Sequence, residues 1–528
     1  MKKASLFMIV LFILPALFGC AQKAGINSVS EGSSIPQSTD SSPSSAEKIP
    51  LTVSIFDRGK TTAEFGSVTE NRYIEWIREE FGVPNHIDVQ FYAIPREQES
   101  SKLNALMAAK EAPDICITYS SSIFYQYAKQ GGLSSLDDAI AEYGANISSN
   151  LKEGLPYGQY QGQQYSVYAL RAARDMAAHY VRKDWLDALG FSMRTNESGL
   201  YTMSVDELYE ALLQFKEKDL DGTGQQIFSL GMNGKASQMW PLGWSFLDVS
   251  QITEEDWACL PDWMLSGAKD AYRWLNKVYH EGLMDPDYAT TSEYAKKIEY
   301  IVTGRTGYWA DSPTFELNSG AGLDALYSDR PTAEVVAFQL ENIHGDLKQK
   351  VYSPIGLCCM VPVFSEAVNE AVMYMDFLAD YKNDRVLRYG FEGENYTMTD
   401  GVPANIRLDY ENLSDYALMY NGDPDPVINT ATSIASLPEF TKPIRTDTLK
   451  LGVIGGVNPY AFQQEIISET KYGADLDAKL SELTVKSVMA APDEFDATFD
   501  ALAEEYLNIG GQEVIDEKIA VYRKNEGK

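Results

Sequence analysis

Three tryptophans set outside helical patterns are the residues of this sequence best suited to hold a ligand. Trp240 and Trp244 bound the loop-like Met239-Trp-Pro-Leu-Gly-Trp244, and Trp309 lies in Gly307-Tyr-Trp-Ala-Asp311 at the end of what reads as a buried strand. An indole gives a large flat apolar face with little side-chain entropy to lose. Such a face can stack on the C–H side of a sugar ring and leave its hydroxyl rim to polar groups. The polar groups that could serve that rim are Asp57, Arg58, Tyr119, Asp311, Glu392 and Tyr396. Trp76, Trp185 and Trp274 fall at helical spacing and are assigned to the core.

Other chemistries find less support. Lys218-Asp-Leu-Asp-Gly-Thr-Gly-Gln225 matches the first half of an EF-hand loop, but position twelve is Leu230 where Ca²⁺ needs a bidentate Glu. A structural turn is the expectation there and no metal site is assigned, with calcium binding as the alternative. Ser54-Ile-Phe-Asp-Arg-Gly-Lys-Thr61 lacks only the first Gly of a phosphate-cradling P-loop, and Ser54 falls inside a strand pattern instead. No Gly-x-Ser-x-Gly elbow, His-Glu-x-x-His or zinc-type Cys/His spacing occurs, so no enzyme and no cofactor are expected. A glycosidase remains the alternative from that class, because its two carboxylates could come from any of 76 acidic residues.

The elements that must position these groups begin at Leu51-Thr-Val-Ser-Ile-Phe56, a β-rich run. A helix follows with Ile74, Ile77 and Phe81 on one face, then a strand over 86–94 and a helix over 97–110. A third strand over 112–118 and a helix over 123–130 complete the series. Strands alternating with helices at this spacing imply parallel pairing in an α/β layer fold. Ligands then sit beyond the carboxyl ends of the strands, here Asp57-Arg58-Gly59 and Tyr119–Ser122. Ser204 and Glu207 form a capping box for a helix that turns Leu208, Leu212 and Phe215 inward.

The formal charge of −32 excludes nucleic acid and anionic membrane surfaces as partners, since both need basic patches. Cys116 sits in an apolar run and reads as a buried thiol. Cys358 and Cys359 would face opposite sides of a strand and do not pair with each other. At the start, Lys2-Lys3 precede a short apolar run that ends in Leu17-Phe-Gly-Cys20, as in a secretory signal peptide. That run is too short to span a bilayer comfortably. Residues 21–49, rich in Ser, read as a flexible linker with a reach of roughly 30 Å.

Several motifs resemble one family. Leu17–Cys20 resembles the lipobox of bacterial lipoproteins, whose Cys receives the lipid. Gly131-Gly-Leu-Ser-Ser-Leu-Asp-Asp138, Tyr165-Ser-Val-Tyr168, Val181–Gly190, Ser204–Leu208, Trp274–Pro286, Gly390–Tyr396 and the tail from Pro492 to Arg523 resemble, in order, the extracellular solute-binding proteins of ABC importers. The resemblance is to their carbohydrate-type lipoprotein branch. It implies an α/β fold of two lobes, periplasmic-binding-protein-like type II, with an interlobe hinge. By it, residues 50–170 and 355–405 form the first lobe and residues 171–354 and 406–528 the second. The crossings fall near 170, near Pro354 and at 400–405. It further implies a monomeric receptor on the extracytoplasmic face of the cell membrane, anchored through lipid on Cys20. Such a receptor captures an oligosaccharide by hinge closure and delivers it to the permease subunits of an ABC transporter. A non-sugar solute such as a peptide is the alternative ligand.

Overall fold

The computed structural model describes residues 48–527 apart from 173, 291–293, 315–316, 318–321, 436 and 463. The signal segment and Cys20 lie outside the described residues, as does the expected linker except for its last two positions, where Ile49 already opens a strand.

β1 (Ile49–Asp57) buries Leu51, Val53 and Ile55. α1 (Arg72–Ile77) starts on Asn71, whose side chain accepts from the N–H groups of Tyr73 and Ile74. Its Ile74 and Ile77 join Phe81 in the core under β1, as their spacing predicts. β2 (Ile87–Pro95) runs parallel to β1 in unbroken register, from Ile49 opposite Ile87 to Asp57 opposite Pro95. α2 (Glu99–Ala109) leads to β3 (Cys116–Thr118), and a parallel bridge from Val53 to Ile115 joins that segment to the free side of β1. α3 (Ser121–Lys129) is capped by Ser120, and β4 (Ser166–Arg171) ends this first visit to the lobe.

Residues 172–177 carry the chain to β5 (Ala178–Arg182), which lies inside a second sheet. β6 (Arg194–Thr195) and β7 (Tyr201–Met203) precede α4 (Val205–Glu217), whose Leu208, Leu212 and Phe215 are buried. The capping box is present: Ser204 Oγ accepts from Glu207 N at 3.1 Å, and the Glu207 carboxylate accepts from Ser204 N at 2.7 Å. Ser204→Ala is expected to cost about 1 kcal/mol of stability, read as a lower denaturant midpoint at unchanged slope. β8 (Leu230–Gly231), α5 (Glu254–Cys259), α6 (Ala268–His280), β9 (Tyr308–Asp311), β10 (Val335–Leu340) and β11 (Gln349–Lys350) follow. The six-stranded sheet is ordered β8-β9-β5-β10-β7-β6.

After Pro354 the chain returns as β12 (Ile355–Met360), antiparallel between β3 and β4, with Cys358 opposite both Thr118 and Tyr168. Cys358 packs on the face with Leu103 and Phe124, and Cys359 packs on the opposite face with Val53 and Ile117. α7 (Val368–Leu378) covers that second face. Tyr410, Leu413, Tyr416 and Met419 enter the same core, and β13 (Tyr420–Asn421) pairs parallel with β4. The chain therefore stays in the first lobe until Asn421. The crossing expected at 400–405 comes later because this apolar run completes the first core.

α8 (Lys442–Leu451) then packs Ile444 and Leu451 against Tyr180 and Trp309. β14 (Gly456–Val457) pairs parallel with β11. α9 (Ile467–Met489), α10 (Phe495–Tyr506) and α11 (Gln512–Asn525) close the second core with Leu483, Phe499, Val514 and Val521 against Leu212 and Tyr272. Among the described residues no helix is long and apolar enough to cross a membrane.

Candidate functional site

The carboxyl ends of β1 and β3 bring Asp57, Arg58 and Tyr119 to one place. Arg58 donates from Nε and Nη2 to the two carboxylate oxygens of Asp415, at 2.7 and 2.9 Å. This pairing raises the Arg58 pKa. The Tyr119 ring stacks on Phe56 with centroids 5.8 Å apart, and the Arg96 guanidinium lies 5.0 Å from both rings. Glu99 holds this corner together. Its carboxylate accepts from Thr118 Oγ1 at 2.6 Å, from the Tyr119 N–H at 2.7 Å and from Arg96 at 2.6 Å. Burial raises the Tyr119 hydroxyl pKa and Asp415 adds to this, while Arg58, Arg96 and Arg171 work against it. Asp57 turns its carboxylate onto the Gly59 N–H at 2.8 Å, where Gly59 takes a positive φ of 66°. A cavity of about 270 Å³ opens here, lined by Phe56, Arg58, Tyr119, Arg388, Asp415 and Asn421 among others.

A larger groove runs between the lobes. Its inner part, about 320 Å³, has Ser121, Ser122, Tyr125 and Tyr168 from the first lobe on one side, with Trp257, Lys350, Tyr460 and Phe462 opposite. Its outer part, about 660 Å³, shares Trp257, Ala258 and Tyr460 and adds Glu254, Asp346, Lys348 and Tyr522. Two elements carry the second-lobe wall. α5 starts on a Thr253–Asp256 capping box that sets Trp257 one turn in. The segment after β14 brings Tyr460 between Phe462 and Tyr522, each ring 4.9 Å away. Trp257 is 8% exposed and its indole N–H has no hydrogen-bond partner. Polar ties cross between the lobes here, Tyr125 Oη to the Phe462 carbonyl (3.0 Å) and Lys129 to Glu465 (2.9 Å), and Arg174 in the crossing segment is held by Asn458 (2.7 Å).

None of the expected ligand-binding residues lines this groove: Arg58 and Tyr119 line the smaller cavity, and the rest beyond Asp57 stand apart from both. Trp309 is fully buried in the middle of the second sheet, stacked on Tyr180 at 5.6 Å. Its neighbour Asp311 is buried against Lys297 and accepts from the Ser312 N–H at 2.6 Å. Trp244 is 2% exposed and packs with Leu247 and Leu265, while half-buried Trp240 leans on it at 6.0 Å and lines a separate second-lobe cavity. Glu392 and Tyr396 bridge each other in a first-lobe turn, with Glu392 exposed and Tyr396 buried beside Tyr389. As placed, the faces of Trp244 and Trp309 are occupied by protein. Trp257, Tyr460, Tyr125 and Arg171 escaped the sequence reading. The Tyr165–Tyr168 motif that marks the approach to the first crossing could have pointed to Arg171, three residues on.

The EF-hand-like loop is closed on itself. Asp219 accepts from Thr223 N, Thr223 Oγ1 and Gly224 N at 2.5–3.0 Å. Asp221 takes two bonds from Arg182 (2.8 and 2.9 Å), one from Trp185 Nε1 (2.7 Å) and one from Arg330 (2.8 Å). Guanidinium groups supply the positive charge that the carboxylate needs. Among the described residues no group of three or more His, Cys, Asp or Glu could hold a metal ion. Ser54, fully buried, continues β1 and forms no phosphate loop.

No protein-family model matches the chain. Over 462 residues it is 24% identical to lipoprotein LipO of Bacillus subtilis (strain 168), a match that spans 82% of this chain and 86% of that one. It is 23% identical to the polygalacturonan/rhamnogalacturonan-binding protein YtcQ of the same organism, across 80% and 83% of the two chains. Among solved structures, the alginate-binding protein AlgQ2 without calcium ion aligns with a TM-score of 0.66 at 18% identity, covering 90% of this chain and 99% of that one. An HMO binding ABC-transporter associated solute binding protein of Bifidobacterium longum infantis aligns with a TM-score of 0.65 at 14% identity and the same coverage. These likenesses bear out the resemblance read from the motifs. The chain has the two-lobed α/β fold of the ABC-transporter solute-binding proteins, and along most of its length it is similar to a lipoprotein and to a polysaccharide-binding protein of Bacillus subtilis.

Proposed function

We propose that the protein is a non-enzymatic receptor that captures an oligosaccharide in the interlobe groove and passes it to an ABC permease. The observation that supports this most is a groove with aromatic rings on both walls, Tyr125 and Tyr168 on one side and Trp257 and Tyr460 on the other. A ligand touching both walls stabilises the closed arrangement by contacts that neither lobe makes alone, which is how closure couples to binding. The names of one relative and of two structural neighbours point the same way, since each denotes a carbohydrate binder or its transporter. Lipid on Cys20 would hold the receptor on the extracytoplasmic face of the cell membrane as a monomer. Tethering raises its effective concentration at the permease with no added contact.

At a hundredfold excess over Kd, a cognate oligosaccharide should stabilise the protein by about 2.7 kcal/mol. The readouts are a melting temperature several degrees higher and a smaller radius of gyration in solution scattering, with the labelled sugar recovered uncleaved. A broad glycan panel that includes uronates and gives neither change would remove the carbohydrate reading and bring peptides next. Turnover of the sugar would instead reveal an enzyme.

A further inference from the structure

We infer that the first-lobe corner between the Arg58–Tyr119 cavity and the inner groove reads a single carboxylate on an otherwise neutral oligosaccharide, through Arg171 with Arg58 and Arg96 around Tyr119. The inference rests on the receptor reading and adds a ligand class to it. Arg171 ends β4, where the chain leaves the first lobe. Its guanidinium lies 4.8 Å over the Tyr352 ring, and Nη1 donates to the Ser353 carbonyl at 3.4 Å, beside the inner groove that Ser353 lines. Among the described residues no carboxylate lies within ion-pair reach of Arg171.

Its neighbours differ in this respect, because Arg58 is tied to Asp415 and Arg96 to Glu99. Around Tyr119 the corner thus sets Arg58, Arg96 and Arg171 against the paired carboxylates of Asp415 and Glu99; Arg388, which also lines the cavity, is paired with Asp384, and Asp57 is turned to its own backbone turn. A partly buried cation without a counter-ion is costly, and burial presses on the Arg171 charge. A guanidinium has five donors in a planar fork, so most of those on Arg171 are open to a bidentate acceptor. The start of α3, in the same wall at Ser121, adds the positive end of a helix.

The rest of the groove has the opposite bias. Glu254, Asp346 and Glu526 line its outer part with Lys348 as the basic residue among them. In the inner part Lys350 is held by Asp262 and Lys518 by Glu469. A run of uronate units would set its later carboxylates against these acids, and like charges in contact are unfavourable. One acidic unit therefore fits at Arg171, with neutral rings continuing over Trp257 and Tyr460.

The test is titration calorimetry on the full chain. The probes are singly acidic oligosaccharides, each with its carboxyl-reduced partner, together with an oligogalacturonate of the same length. Each singly acidic probe that binds should do so about tenfold or more tighter than its reduced partner, the gain expected of hydrogen bonds to a charged group. Arg171→Gln should bring the two within about threefold; Arg171→Lys should keep part of the preference, which guards against a variant that simply misfolds. Equal binding of acidic and reduced probes, or tightest binding of the oligogalacturonate, would overturn the inference and leave the receptor reading intact. If no oligosaccharide of either kind binds, both fall together.

Discussion

Asp221→Asn should destabilise the second lobe by about 3 kcal/mol at neutral pH, read as a lower midpoint in denaturant with native circular dichroism before the transition. Arg182 is 1% exposed, and Asp221 is the carboxylate that joins it to Trp185 and Arg330. An amide removes the charge and turns one acceptor into a donor that faces a guanidinium. The expected loss sits at the low end for a broken buried pair because Asp184 still holds Arg182, at 2.6 and 2.8 Å. Burial alone would raise the Asp221 pKa, but Arg182, Trp185 and Arg330 bring it below the usual carboxylate value. A lowered folded-state pKa gives stability that is complete above the unfolded value near 4 and lost as pH falls further. The gap between wild type and variant should therefore narrow below about pH 4. A gap under about 0.5 kcal/mol at pH 7, the range of an ordinary surface change, would show that the network carries little of the stability.

Trp257→Ala should weaken oligosaccharide binding by about 30-fold or more, the roughly 2 kcal/mol of a central aromatic anchor. The same truncation also empties part of a core shared with Trp244 and Leu265, so its melting temperature should fall as well. Trp257→Phe separates the two effects. It keeps an aromatic face and most of the packing, so affinity should fall by no more than about fivefold, about 1 kcal/mol, with a small change in stability. Unchanged affinity in both variants would move the ligand away from this wall.

The first lobe was legible because its residues repeat at the periods of their elements. Leu51, Val53 and Ile55 alternate along β1, and Ile74, Ile77 and Phe81 return every three or four residues. The site corner was legible for a related reason. Parallel strands end on one side of a sheet, so Arg58 and Tyr119 had to meet there. The aromatics were not legible in this way. Trp309 and Trp257 are the same residue type in similarly short motifs, yet one is enclosed in a sheet and the other lines a groove. The segments that cover Trp309 and that complete the wall beside Trp257 come from positions 444–462, far along the chain. Asp311 shows the same limit: its buried partner Lys297 precedes it by less than twenty residues, but nothing in the pattern folds that helix over the strand. The final crossing lies beyond Asn421 because Tyr410, Leu413 and Tyr416, which recur at every third position among Glu, Asn, Ser and Asp, belong to a segment with only one short helical turn, Leu413–Tyr416, although all three are core residues.

The chain builds its lobes in alternation, first, second, first, second, and this governs when either can fold. The first core is incomplete until Met419 and Tyr420 are made, and the second until Val514 and Val521 are. Contacts this distant in sequence form slowly, since long loops must close before they are rewarded. A nascent chain of this design thus keeps unfinished cores through most of its synthesis. For the exported receptor proposed above, which would thread a membrane pore extended before it matures, that delay is an asset. The last helices, on reaching the far side, would lock a lobe that could not have closed prematurely on the near one.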